Sequence, residues 1–91
     1  MEYEWDDNKN QQNQAKHGID FYDAVRIFID GDRIEWLDNR KDYQEKRYRT
    51  VGMVFGVLLV VVYTPRNGRY RLISARKASK HERETYYYQK S

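Results

Sequence analysis

The chain predicts an α+β domain, and three observations predict it. Two helix-start signals stand near the beginning, at Asp6 and Asp20. Four β-rich segments then follow one another through short connections between residues 33 and 77. A capping box, Ser79-Lys80-His81-Glu82, opens a last helix. Short connections between consecutive strands favour an antiparallel meander, here of about four main strands. Two helices precede it and one follows it, and all pack on the sheet.

The elements follow in order. Residues 2–5 read as a short strand, because Tyr3 and Trp5 alternate to one side. Asp6 caps a helix over about 7–17, with Gly18 placed for a left-handed stop and Lys16 in the last turn. That helix is polar. Asn8, Asn10, Gln11, Gln12, Asn13 and Gln14 leave Ala15 almost alone as an apolar contact, so its own packing looks weak. Asp20 caps a second helix in which Phe21, Ala24, Val25 and Phe28 form an apolar stripe, ended by Gly31. Residues 33–37 are a strand and residues 38–45 a charged loop. Residues 46–54 form the next strand, and Gly56 marks a turn. The run 57–63 is apolar without alternation, the pattern of a central strand covered on both faces. Pro65-Arg66-Asn67-Gly68 is a hairpin turn, residues 69–77 a further strand, and the final helix reaches about residue 88.

Length and composition set bounds. Ninety-one residues make a single domain spanning 1–91, near the small end of what folds alone. There is no cysteine, hence no disulfide and no thiolate metal site, and the two histidines are far apart. The longest uncharged stretch, 50–65, is shorter than the ~20 residues of a membrane helix. The acidic start, Met-Glu-Tyr-Glu-Trp, lacks the basic region of an export signal. These features lead us to expect a soluble cytoplasmic protein.

Charge is unevenly spread. Residues 65–91 hold eight Lys/Arg against two Asp/Glu, whereas residues 1–64 hold nine against twelve. Arginines beside tyrosines at such a pole suit a polyanion with exposed bases, since guanidinium pairs phosphate and aromatic faces stack bases. In a regular strand Arg69 and Arg71 share one face with Ile73 and Ala75. Tyr70, Leu72, Ser74 and Arg76 take the other. Arg47 and Arg49 again share a face, so a patch drawn from two strands is expected. Edge-strand charges that resist aggregation would look the same. His17 sits where a histidine caps carbonyls, and His81 lies in a first helical turn that disfavours imidazolium. Tyr86 stands one turn after Glu82, on the same side of the helix.

No phosphate loop, metal-spaced carboxylates or nucleophile elbow is present, so no cofactor is expected. One reaction suits Arg, Lys, His, Glu and Tyr without metal: attack of an RNA 2′-hydroxyl on its own phosphate. The substrate brings the nucleophile, and the protein supplies position, proton transfer and positive charge.

The sequence resembles the BrnT family, bacterial toxins of type II toxin–antitoxin systems. Trp5-Asp6, Lys9, Asn13, Lys16-His17-Gly18-Ile19, Phe21 and Ala24 match its opening. Arg47 before Thr50-Val51-Gly52, then Leu59-Val60-Val61 and Tyr63-Thr64, match its middle. The run from Arg71 to Ala78, with Glu82-Arg83 and Tyr86, matches its end. The resemblance implies a RelE-like fold and a ribonuclease that blocks translation by acting on mRNA. It also implies neutralisation by a BrnA-like antitoxin whose ribbon-helix-helix domain binds operator DNA, so that this chain meets DNA only indirectly. On this reading Arg71, Arg76 and Arg47 bind phosphate and stabilise the transition state. Lys16 or His17, with Glu82 or Tyr86, transfers protons. Arg49, Arg69, Lys77, Lys80 and Arg83 add RNA contacts. An acidic antitoxin segment is expected over residues 71–83 or along a sheet edge, with the polar first helix as a second contact. The alternatives are a non-catalytic nucleic-acid-binding module or corepressor, and a degenerate toxin that keeps only antitoxin binding.

Overall fold

The uninterrupted apolar run at 57–63 needs cover on both faces, and the fold supplies it. The computed structural model describes residues 1–40, 42 and 44–90. Strand β1 is Glu2–Glu4, α1 Asp7–His17 and α2 Phe21–Ala24, which passes into a 3₁₀ turn at Val25–Ile29. Strands β2 (Ile34–Leu37), β3 (Tyr48–Val54), β4 (Val57–Arg66) and β5 (Arg69–Lys77) follow, then α3 (Lys80–Lys90). The five-stranded sheet has the order β1-β5-β4-β3-β2. Strand β4 is central, and its residues from Leu58 to Thr64 are all buried. The expected meander, β2 to β5, is antiparallel throughout.

Three details depart from expectation. The sheet is mixed, because β1 joins the β5 edge in parallel. The second helix does not run to Gly31. It is one α-turn followed by a 3₁₀ turn. The β4–β5 turn is Asn67-Gly68 alone, both in the left-handed region, while Pro65 and Arg66 stay paired in β4. The expected charged loop at 38–45 includes Lys41 and Tyr43, which lie outside the described residues.

Two apolar clusters sandwich the sheet. On the back face Phe21, Ala24 and Ile27 meet Val54, Leu59, Val61, Leu72 and Ala75. On the front face Val51, Leu58 and Val60 meet Ala78 and Tyr86 of the last helix. Gly52 lets the 3₁₀ turn lie close on β3, since a Cβ there would stand 2.8 Å from Ile27 Cγ1. Among the described residues no helix is long and apolar enough to cross a membrane.

The polar helix α1 docks through side-chain amides rather than apolar contacts. Asn13 donates Nδ2 to the carbonyls of Ala75 and Ile19, at 2.9 Å each, and accepts from the Ala75 N–H at 3.0 Å. One asparagine thus does for β5 what a neighbouring strand residue would do, where β1 has already ended. Asn10 accepts from Phe21 N–H at 2.9 Å and donates to the Asp20 cap at 3.0 Å. The helix expected to pack weakly is held by buried hydrogen bonds. Asp6 and Gly18 cap it as predicted.

Candidate functional site

A β-bulge decides which arginines share a face. Val62 pairs with Ser74 and Tyr63 with Leu72, so Ile73 is the extra residue. The alternation of β5 changes phase there. Leu72 and Ala75 both enter the back cluster. Arg71, opposite Thr64, and Arg76, opposite Val60, come to the same front face. The regular strand assumed from sequence separated them, and it placed Ile73 and Ala75 beside Arg71. Lys77, opposite Leu59, falls on the back face instead.

A groove of about 430 Å³ opens on the front face between the sheet and the start of α3. Trp36, Arg49, Ser79, His81, Glu82 and Thr85 line it. Trp36 and Arg49 are directly paired across β2 and β3, with the guanidinium 4.7 Å from the indole centroid. The Arg49 Nε is buried without a hydrogen-bond partner among the described residues. A buried donor left unmade costs about 1–3 kcal/mol. An anion in the groove is what could recover that cost, after a small rotation of the side chain.

Glu82, on the groove lining, is held from behind by Arg76 through two bonds of 2.8 Å, Nη1 to Oε1 and Nη2 to Oε2. Glu82 also closes the predicted capping box. It accepts from Ser79 N–H at 2.7 Å, and its own N–H donates to Ser79 Oγ at 3.2 Å. The Arg76 bonds, with help from Ser79, outweigh burial and hold the Glu82 carboxyl down to about 2. Glu82 is therefore a permanent carboxylate that positions Arg76, and it is a poor proton acceptor at neutral pH. The same pairing raises Arg76 further above its ordinary range.

The other candidates are scattered. Arg71 Nη1 reaches Glu4 Oε2 at 3.3 Å and Arg69 Nε reaches Glu2 Oε2 at 3.3 Å. Arg47 Nε pairs with Glu45 at 3.0 Å. Lys16 and His17 line a separate shallow depression on α1 with Lys9, Gln12, Asn13 and Ile73, apart from the groove. Lys80 and Arg83 are exposed on α3, and Arg83 Nη1 donates to Ala78 O at 2.9 Å. Tyr86 is 1% exposed. Its hydroxyl donates to Asp30 Oδ2 at 2.7 Å. Burial first, and Asp30 second, push that phenol up, so it stays protonated.

Sequence reasoning missed Trp36 and Thr85 and left His81 outside the expected site. The signal for Trp36 was present in the alternation of Ile34 and Trp36 on one side of a strand. Its meaning depends on Arg49 lying directly across, a register that no local pattern states. Among the described residues no three His, Cys, Asp or Glu side chains gather as a metal site.

Residues 5–82 match the family described as "Ribonuclease toxin, BrnT, of type II toxin-antitoxin system". A search of curated proteins finds no match. The family match runs from Trp5 through the whole meander to Glu82, and so takes in the bulged strand and the groove residues as far as the Arg76–Glu82 pair. The chain belongs to the BrnT family of type II toxin–antitoxin ribonuclease toxins.

Proposed function

We propose that the groove beside Arg49 and Arg76 is where this toxin cleaves RNA, without a metal ion. The observation that carries the reading is the bulge at Ile73. It brings the strand arginines to the face on which α3 builds the groove. Arg76, fixed by Glu82, and Arg49, with its unmade Nε–H, supply positive charge to one phosphate from two strands. The RNA 2′-oxygen attacks that phosphorus and the bond to the 5′-oxygen breaks, leaving a 2′,3′-cyclic phosphate and a free 5′-hydroxyl. One proton leaves the attacking oxygen and one reaches the departing oxygen. His81, on the groove lining, is the side chain placed to carry them. Trp36 offers an aromatic surface to a flanking base. Arg71, Arg69 and Arg47, each on a glutamate, stand outside this pair.

Cleavage of mRNA would block translation in the bacterial cytoplasm. A BrnA-like ribbon-helix-helix antitoxin with an acidic segment over the groove would silence it and carry it to operator DNA.

The test is cleavage of a defined RNA by purified protein in EDTA. Each arginine contact to phosphate contributes roughly 1.5–3 kcal/mol. Arg49→Ala or Arg76→Ala should therefore slow cleavage by about tenfold or more. A 2′-O-methyl group at the scissile nucleotide should stop the reaction. Arg49→Ala should lower the melting temperature only modestly, because it deletes an unsatisfied donor together with the contact to Trp36. Activity lost in EDTA and restored by magnesium overturns the metal-free mechanism. RNA binding without cleavage selects the non-catalytic module.

A further inference from the structure

Strand β1 carries two carboxylates to the arginine face. Its parallel register sets Glu2 opposite Arg69 and Glu4 opposite Arg71. Residues so paired share a face of the sheet. Arg71 lies on the front face, so Glu4 does too, and Glu2 and Arg69 lie two residues back along their strands. Between them Tyr3 turns to the back, where its ring stacks on Phe28 at 5.2 Å between centroids. That ring anchors β1 independently of the two glutamates.

Neither ion pair is built for stability. Both are 3.3 Å long, against 2.8 Å for each bond of the Arg76–Glu82 pair. Charge-assisted bonds at their best measure about 2.7–2.9 Å. Partly exposed pairs of this kind contribute roughly 0–1 kcal/mol to folding. Their larger effect is on what a polyanion meets. Without Glu2 and Glu4 the front of β5 would present Arg69, Arg71 and Arg76 in a row. With them, each of the three has a carboxylate: Glu82 anchors Arg76 beside the groove, and Glu2 and Glu4 cover the two arginines outside it.

We propose that Glu2 and Glu4 withhold Arg69 and Arg71 from RNA, and so confine phosphate contacts to the groove around Arg49 and Arg76. This rests on the RNA reading above. The two glutamates act as built-in phosphate substitutes. They fix how much of a strand the toxin grips, and they keep the basic pole from holding polyanions where no cleavage can occur. Positive charge alone binds any nucleic acid. Carboxylates placed against selected arginines are the means of limiting it.

The experiment compares the wild-type chain with Glu2→Gln/Glu4→Gln, binding a 2′-O-methyl oligoribonucleotide that cannot be cleaved. Glutamine keeps the shape and removes the charge. Two recovered phosphate contacts should raise affinity about tenfold or more near 0.1 M salt. They should also steepen the slope of log K against log salt by about 1.4, at roughly 0.7 per phosphate on a single strand. Asp23→Asn, at an exposed position of α2, controls for net charge and should shift affinity less than about twofold, as expected of a distant screened charge. Arg71→Gln should have little effect in the wild type and should reverse part of the gain in the Glu4→Gln background. If affinity and slope match wild type in the double variant, or if Asp23→Asn gives the same gain, the glutamates withhold nothing. In either case the RNA reading stands. If neither protein binds the oligonucleotide, the RNA reading falls and this inference with it.

Discussion

Helices α1 and α3 are each eleven residues long and both are mostly polar, yet they attach to the sheet by different chemistry. Helix α1 presents Asn10 and Asn13 to buried backbone groups, with no ionised side chain at the β5 contact. Helix α3 is fixed by the Arg76–Glu82 ion pair at its start and by Tyr86 at its centre. A neutral amide contact is insensitive to salt and to most of the pH range. An ionic contact is sensitive to both, and here it shares a residue with the groove. The difference teaches that the contact of α1 with β5 is neutral, whereas the anchor of α3 is ionic and borders the groove.

The largest effect expected from this contrast is at Asn13. Asn13→Ala removes three hydrogen bonds and leaves the Ala75 N–H, the Ala75 carbonyl and the Ile19 carbonyl without that partner. Each such loss costs about 1–3 kcal/mol when the group stays buried, and partial access of water brings the total to about 3–5 kcal/mol. Urea unfolding at neutral pH measures it. Asn13→Asp sharpens the point, because a carboxylate can accept from Ala75 N–H but cannot donate to either carbonyl. A cost below about 1 kcal/mol for both variants would mean that α1 is held by something other than its amides.

The same contrast explains what could be read from the sequence. Periodicity and capping are local, so the helix starts at Asp6 and Asp20, the capping box at Ser79 and the central strand were all legible. The docking of α1 was not, because an asparagine looks equally polar whether it faces water or a strand edge sixty-two residues away in sequence. The bulge at Ile73 was also hidden. Nothing in Arg-Leu-Ile-Ser marks an extra residue, yet it alone moves Arg76 to the side of Arg71. The candidate site was therefore legible as a set of basic residues and not as a place. Arg49, Arg76 and Glu82 were named in advance. Trp36 was not, and Lys16, His17 and Tyr86 do not line this groove.

A second way to sharpen the comparison uses pH. The carboxyl of Glu82 is held to about 2 in the fold, against an ordinary value of 4.5. A lowered folded value means stability that is present above the ordinary value and lost as pH falls toward the folded one. The window thus runs from about pH 5 down to about pH 2, and the loss across it is about 2–3 kcal/mol once partial solvent screening is allowed for. Glu82→Gln should flatten this part of the stability curve. The three bonds of Asn13 have no proton to gain, so the amide exchange protection at the contact of α1 with β5 should outlast that of α3 as acid is added. If both helices lose protection together, the ionic anchor of α3 is not separable from the rest of the fold.

The smallest expected effect is at the other anchor of α3. Tyr86→Phe keeps the buried ring and deletes its bond to Asp30. Asp30 retains donations from Met53 N–H at 2.8 Å and Asp32 N–H at 2.9 Å, so its carboxylate is not abandoned. Burial pushes the Asp30 carboxyl up, and the bonds from Tyr86, Met53 and Asp32 together bring it below its ordinary value. Losing one of three should cost about 1 kcal/mol, the net worth of a single hydrogen bond. The phenol lies under α3, outside the lining of the groove, and burial and Asp30 keep its proton in place. RNA cleavage by Tyr86→Phe should therefore proceed within about twofold of the wild-type rate at a temperature where both are folded, a barrier change of under about 0.5 kcal/mol. A hundredfold loss of cleavage in a variant that still melts cooperatively would return Tyr86 to the reaction, and would make the centre of α3, rather than its start, the working end of the helix.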